Sequence, residues 1–267
     1  MEQNKKNFKI VSNTKTRVIL PNILTLVGVC IGLSSIKFAL DAKYELAIIA
    51  VVFAAMIDGL DGRIARLIKG TSKVGKELDS LTDVISFGVA PAFIMYFWSL
   101  NNLGKFGWLL CLIYVVCVAL RLARFNVNSN EEPSWRDNFF EGIPSPAGGI
   151  LVLIPLIYSL SDFEFIKINF EILVPIFFVT ISFLLISKLP TYSLKKIVVP
   201  RSTTIFLLFT IVLYFGLLLI YPFKAMIISG MLYLCFIPIS FLHHLKLKKQ
   251  YSTRSSQEED EDHEDVL

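Results

Sequence analysis

The chain has 267 residues, of which 54% are hydrophobic and 18% charged, and its formal net charge is +4. The apolar residues come in long blocks rather than amphipathic stripes, which excludes a soluble globular or disordered chain and marks an integral membrane protein of the helical class. Nothing in the pattern points to a nucleic-acid partner.

A polar arm, residues 1–18, opens the chain with Lys5, Lys6, Lys9, Lys15 and Arg17. Eight apolar stretches follow, at about 19–40, 44–60, 79–100, 104–125, 143–161, 170–188, 204–222 and 224–242, the last two being the least distinct from one another. They predict an all-α, polytopic membrane domain over 19–242. The first stretch does not read as a cleavable signal peptide, because it is long, follows a polar arm and lacks a small-residue cleavage site. Short cytoplasmic loops collect Lys and Arg. With the arm inside, the 61–78 connection (Arg63, Arg66, Lys69, Lys73, Lys76), the 126–142 loop, Lys195, Lys196, Arg201 and the C-terminal tail share its side. The opposite connections, near residues 41–43, 101–105, 162–171 and 222–224, are short and carry few cations. Both termini are therefore expected in the cytoplasm.

The first stretch begins with Pro21 and Asn22, with Thr25 close behind. Asn22 either caps that helix or, with Thr25, faces a ligand. The second stretch ends in Asp58 and Asp61, flanked by Gly59 and Gly62, whose missing side chains let a bulky ligand approach the backbone. Turn residues over Gly70–Lys76 then lead into a helix whose first turns hold Glu77, Asp79 and Asp83. Asp58 and Asp61 are three residues apart and Asp79 and Asp83 four apart, so each pair projects from one helix face. Two facing pairs make a four-carboxylate cage. An uncompensated Asp costs about 3 kcal/mol at the centre of a membrane helix and less near the interface. Bound cations remove most of that cost, and oxygen-only ligands favour Mg²⁺, Mn²⁺ or Ca²⁺ over zinc. Helix-dipole capping accounts for one or two acids at a terminus, but not for two facing pairs accompanied by Arg63 and Arg66.

Further on, Arg121 and Arg124 share one face near the cytoplasmic end of the fourth stretch. They either snorkel to lipid phosphates or bind an anionic group directly. A Pro144-Ser145-Pro146 turn opens the fifth stretch, where Ser145 faces the same cavity or merely starts a helix. Cys30, Cys111, Cys117 and Cys235 all lie in apolar stretches and read as packing residues, without disulfides or zinc. The tail, 243–267, has a basic run and then an acidic one. It is expected to be disordered, with its basic part on anionic head groups. No Ser/His/Asp triad or nucleotide P-loop is visible.

Residues 58–83, DGLDGRIARLIKGTSKVGKELDSLTD, follow the pattern Asp-x2-Asp-Gly-x2-Ala-Arg-x8-Gly-x3-Asp-x3-Asp at every fixed position. This resembles the signature of the CDP-alcohol phosphatidyltransferases, a strong match because the spacing is fixed throughout. GKELDSLTDVISFGVAPA (75–92), ALRLARFNV (119–127), GIPSPAGG (142–149) and Pro21, Asn22 and Thr25 are similar to the bacterial and archaeal phosphatidylserine synthase branch. The last hundred or so residues add nothing specific.

The resemblance implies a membrane enzyme, commonly a homodimer, that moves a phosphatidyl group from a CDP-linked lipid to an alcohol and releases CMP. It implies Asp58, Asp61 and Asp79 as the main ligands of divalent metal, Mg²⁺ or Mn²⁺ and two in number. Asp83 is then either the general base for the acceptor hydroxyl or a fourth ligand. Gly62 and Ala65 leave room for cytidine and ribose, Gly75 keeps a fixed place in the pattern, and Arg66 meets phosphate or steadies a carboxylate. Arg121, Arg124 and Ser145 are the acceptor-side candidates. CDP-diacylglycerol and L-serine are the expected substrates, in a bacterial inner membrane. Another acceptor (glycerol 3-phosphate or inositol phosphate), an archaeal-type lipid donor and, remotely, a cation-coupled transporter are the alternatives.

Overall fold

The computed structural model describes residues 14–68, 70, 72–128, 139–161, 169–192 and 201–264. The basic arm up to residue 13, Lys69, most of the 126–142 loop, Lys195 and Lys196 lie outside the described residues. In chain order the helices are α1 (Thr14–Leu40), α2 (Tyr44–Leu67), α3 (Lys73–Asp83), α4 (Ala90–Trp98), α5 (Lys105–Asn128), α6 (Ser145–Val152), α7 (Ile154–Ser159), α8 (Phe170–Ile186), α9 (Arg201–Ile220) and α10 (Pro222–Glu264). A π-helical turn, Val84–Val89, joins α3 to α4. Among the described residues the protein is all-helical apart from one short antiparallel pair, β1 (Phe139–Glu141) with β2 (Pro190–Tyr192), in the register Phe140 opposite Thr191.

Among the described residues four helical stretches are long and apolar enough to cross a membrane: Ile19–Leu40, Lys73–Trp98, Lys105–Val127 and Pro222–Leu247. Ser145–Ser159, Phe170–Ile186 and Leu208–Ile220 are shorter apolar helices. The eight predicted stretches thus all fall on helices, four of which are long and apolar enough to span. In two of the others the shortfall has a local cause. Pro155 has no N–H to offer the Leu151 carbonyl, and the fifth stretch breaks at Leu153 into α6 and α7. In α2 the apolar run ends at Ile57, and the same helix continues through the charged motif. In the tail, α10 runs on to Glu264, past the last apolar residue of its stretch. From Ser240 to Glu264 the chain has no Gly or Pro and is rich in Lys, Gln and Glu, residues that cost little in a helix.

The centre of the bundle is the π turn. Ala90 N–H bonds the Ile85 carbonyl five residues back, and Pro91 has no N–H to give the Phe87 carbonyl. The buried Tyr114 hydroxyl of α5 donates to that carbonyl at 2.9 Å, so the helix distortion leaves no orphaned acceptor there. Three glycines let neighbours close on this turn. A Cβ at Gly32 of α1 would come within 2.5 Å of Ser86 Oγ, one at Gly149 of α6 within 3.0 Å of Phe87 Cα, and one at Gly88 within 3.3 Å of Val118. Tyr114 in turn packs on Phe178 of α8, ring centroids 5.0 Å apart. Outward faces carry large apolar residues, among them Ile23 and Leu26 on α1, Val116 and Leu120 on α5, and most of the described side chains of α9. Such a surface suits lipid rather than water. At the turn after α1, Lys37 bonds Asp41 and holds its carboxyl below the usual carboxylate range. Being exposed, that pair contributes little to stability.

The strand pair fixes where α6 begins. Gly142 N–H reaches the Leu189 carbonyl at 2.9 Å, and Thr191 Oγ1 donates to the Gly142 carbonyl at 2.8 Å. Gly142 has φ +73°, and a Cβ there would lie 2.7 Å from the Leu185 carbonyl oxygen. Gly142→Ala is expected to destabilise the protein by about 1–3 kcal/mol, read as a lower melting temperature in detergent. An unchanged melt would contradict this account of the turn.

Candidate active site

α1, α2 and α3 meet at one end of the bundle around a cavity of about 680 Å³ lined by Pro21, Asn22, Thr25, Asp61, Gly62, Ala65, Arg66, Gly70, Ser72, Lys73, Gly75, Lys76, Asp79 and Phe125. Six residues singled out from sequence as ligand-facing, Asn22, Thr25, Gly62, Ala65, Arg66 and Gly75, are therefore brought together. Two glycines serve different ends here. A Cβ at Gly62 would meet nothing within 4 Å, so protein packing does not demand glycine and the open space is on the cavity side. At Gly75 a Cβ would sit 2.9 Å from Asn22 Oδ1 and 3.1 Å from Ser72 Oγ. Ser72 is the N-cap of α3, its Oγ accepting from Gly75 N–H at 2.9 Å, so a side chain at 75 presses on both the cap and Asn22. Gly59 is equally open but does not line the cavity.

Asp58, Asp61 and Asp79 each present a carboxylate oxygen within 4.8 Å of the other two. Asp61 is only 3% exposed. Thr25 Oγ1 lies 2.7 Å from Asp61 Oδ2 and 3.0 Å from the Pro21 carbonyl. The shorter contact and the carboxylate charge direct the single hydroxyl proton to Asp61. Asp83 lies beside Asp58 but is held from the other side. Ser145 Oγ donates to Asp83 Oδ2 at 2.6 Å and accepts from Arg121 Nη1 at 3.1 Å. Asp83 Oδ1, Asp61 Oδ1 and Arg121 Nε are buried without a hydrogen-bond partner. Three convergent carboxylates and a bare, buried oxygen on Asp61 are a donor set that fits a hard divalent cation.

The remaining candidates divide. Ser145 reaches Asp83 and Arg121 reaches Ser145, and both stand outside the lining of the large cavity. Arg124, on the same helix, donates through Nη1 to the Ile186 carbonyl at 2.8 Å and ties α5 to the end of α8. Arg66 Nε donates to the Gly62 carbonyl at 3.0 Å one turn earlier, which leaves the far end of its guanidinium at the cavity. Lys73 and Lys76, read from sequence as ordinary anchors, line the cavity as well. Ser72 and Phe125 were not anticipated. Ser72 carries a signal in hindsight, a serine three residues before the glycine at a helix start, whereas nothing local marks Phe125.

A partly buried acidic cluster beside a cavity edged with cations, on a helical membrane scaffold, defines a membrane-embedded enzyme that handles a phosphate-bearing substrate with divalent metal. Residues 18–186 match the CDP-alcohol phosphatidyltransferase family, and the chain belongs to it. That family is divalent-metal dependent, in keeping with the aspartate cluster. The chain is 36% identical over 224 residues to a CDP-diacylglycerol–serine O-phosphatidyltransferase of Mycobacterium leprae, covering 83% of this chain and 74% of the relative. It is 35% identical over 218 residues to the protein of that name from Helicobacter pylori, covering 82% and 89%. A third of that name, from Bacillus subtilis, is 32% identical over 178 residues, covering 66% and 92%.

Gly75→Ala is expected to keep the fold but disturb Asn22 and the α3 cap. The Michaelis constant for a cytidine-linked lipid should rise several-fold with little change in Mn²⁺ binding. Equal Michaelis constants for variant and wild type would mean that the crowding around Gly75 does not matter to the ligand.

Proposed function

We propose that this protein transfers the phosphatidyl group of CDP-diacylglycerol to the hydroxyl of L-serine, giving phosphatidylserine and CMP. The observation that carries the reading is the coincidence of a cavity lined by six of the eight fixed motif residues with relatives of that name over four-fifths of the chain. The new bond joins the serine oxygen to the phosphorus bearing the diacylglycerol ester. The bond that breaks joins that phosphorus to the CMP oxygen, and CMP leaves with the electron pair.

Asp58, Asp61 and Asp79 are the residues that would hold the metal. Bound there, divalent cations, Mg²⁺ or Mn²⁺ and two in number, supply neutralisation of the diphosphate oxygens and stabilisation of the leaving group. The cavity residues do the positioning. Asn22, Gly62, Ala65 and Gly75 shape the space for cytidine and ribose, while Arg66, Lys73 and Lys76 face the phosphates. Asp83, beside Asp58, takes the hydroxyl proton of serine at Oδ1, the oxygen to which no hydroxyl or N–H donates. Such a base contributes about 10²–10⁴ in rate. Arg121, buried on the acceptor side with Nε unpaired, is suited to the serine carboxylate. Arg124, already committed to a backbone carbonyl, is less so.

The same reading takes the eight apolar helical stretches as membrane-embedded in a bacterial inner membrane, with the motif and both termini cytoplasmic and the chain a homodimer. The clustering of Lys and Arg at the motif end supports that orientation.

The test is CMP release by purified protein with CDP-diacylglycerol and Mn²⁺, with serine, glycerol 3-phosphate or inositol phosphate offered in parallel. Serine alone should support turnover, and Asp83→Asn should lower kcat by at least a hundredfold. Turnover with glycerol 3-phosphate and none with serine would refute the serine acceptor and leave the family chemistry standing.

A further inference from the structure

We propose that Thr25 and Ser145 are a pair of positioning residues that divide the two functions of the aspartate cluster between them, Thr25 orienting Asp61 for metal and Ser145 orienting Asp83 for the acceptor. The proposal rests on the reading of Asp61 as a ligand and Asp83 as the base, and adds residues from outside the 58–83 motif.

The two sites have the same construction. In each, a hydroxyl from another helix donates to Oδ2 of one aspartate, Thr25 of α1 to Asp61 at 2.7 Å and Ser145 of α6 to Asp83 at 2.6 Å. In each, Oδ1 of that aspartate is buried and bare. A carboxylate held at one oxygen cannot rotate freely about its terminal torsion, so the other oxygen is aimed in advance. All four residues are at least nine-tenths buried, which keeps water from competing for the pinned oxygen.

Thr25 Oγ1 also lies 3.0 Å from the Pro21 carbonyl on its own helix, but its single proton goes to Asp61. Ser145 has one hydroxyl proton, which goes to Asp83, and its lone pair accepts from Arg121 Nη1 at 3.1 Å, so the direction of the chain Arg121 to Ser145 to Asp83 is set by donor chemistry. Ser145 starts α6, whose position follows from the β1–β2 clasp and the close crossing of Gly149 over the π turn. Thr25 therefore acts on the metal side through α1, and Ser145 on the proton side through α6. Thr25 has no hydroxyl proton to spare for a nucleotide, the role that sequence alone suggested.

The division gives a crossed pattern in full-length protein in detergent. Mn²⁺ binding is titrated without substrate, by the electron paramagnetic resonance of free Mn²⁺, and kcat and KM are measured at saturating Mn²⁺. Thr25→Val, which keeps shape and loses the hydroxyl, should weaken Mn²⁺ binding about tenfold or more and regain most of its kcat once Mn²⁺ saturates. Thr25→Ser should restore Mn²⁺ binding to within about twofold of wild type. Ser145→Ala should bind Mn²⁺ like wild type but lose about tenfold or more in kcat, with the KM for CDP-diacylglycerol unchanged. Wild-type Mn²⁺ affinity in Thr25→Val, or equal loss in Thr25→Val and Thr25→Ser, overturns the Thr25 assignment. Loss of metal binding in Ser145→Ala, or its wild-type kcat, overturns the division. Failure of serine as acceptor would appear in the wild type itself and leave the Mn²⁺ measurements intact.

Discussion

Mutual repulsion among four carboxylates at the end of an apolar bundle is the constraint on which the rest of the structure turns. Two ionised carboxylate oxygens 4.8 Å apart repel by about 3 kcal/mol at an effective dielectric constant of 20. A hydrogen bond from a neutral hydroxyl to a charged acceptor returns about 1.5–3 kcal/mol. Thr25 and Ser145 therefore cannot offset the repulsion of the set, and their place is to choose which oxygens remain available. Divalent cations bound there would relieve that repulsion, in keeping with the family's dependence on divalent metal.

Holding the two halves of the cluster at a fixed distance requires that α2 and α3 approach while α1 and α6 close in from either side. The π turn makes this possible. It lies directly after Asp83, and its changed hydrogen-bond pattern allows Pro91 to sit in a continuous helical stretch, with Tyr114 serving the Phe87 carbonyl. Gly32 and Gly149 then allow α1 and α6 within contact distance of the turn, and these are the helices that carry Thr25 and Ser145. A larger residue at either glycine would move a hydroxyl away from an aspartate as well as disturb packing. Backbone geometry and chemistry are thus coupled through a few ångströms of helix crossing.

Much of the site was legible because its residues are local. Asp58, Asp61, Gly62, Ala65, Arg66, Gly75, Asp79 and Asp83 lie within 26 consecutive positions, and helical spacing alone aligns the carboxylates. What the sequence left ambiguous is what depends on contacts between distant elements. Asn22 and Thr25 looked alike from sequence and both line the cavity, yet Asn22 lies beside Gly75 while Thr25 is also bonded to Asp61, 36 positions away. Arg121 and Arg124 form an equivalent pair on paper, and only the approach of α8 shows that Arg124 is tied to Ile186. The helix count suffered from a different effect. Hydropathy reports where apolar residues are, but proline at 155 and the acids of α2 decide how much of each stretch is one long apolar helix. The β1–β2 clasp had no visible signal, since each strand has only three residues and pairing joins segments about 50 positions apart.

On the proposed function, the residues that meet the two substrates are separated along the chain. Residues that line the large cavity come mostly from α1, α2 and α3 and the turn before α3, with Phe125 the one contribution from α5. The groups beyond Asp83 come from α5 and α6, namely Arg121 and Ser145. Asp83 lies where these two sets meet, next to Asp58 on one side and Ser145 on the other. A substitution on α5 or α6 can therefore change what is presented to Asp83 without altering the cavity or the three converging aspartates. On the proposed function, the choice of alcohol would then rest on residues outside the motif, Arg121 and Ser145 among them.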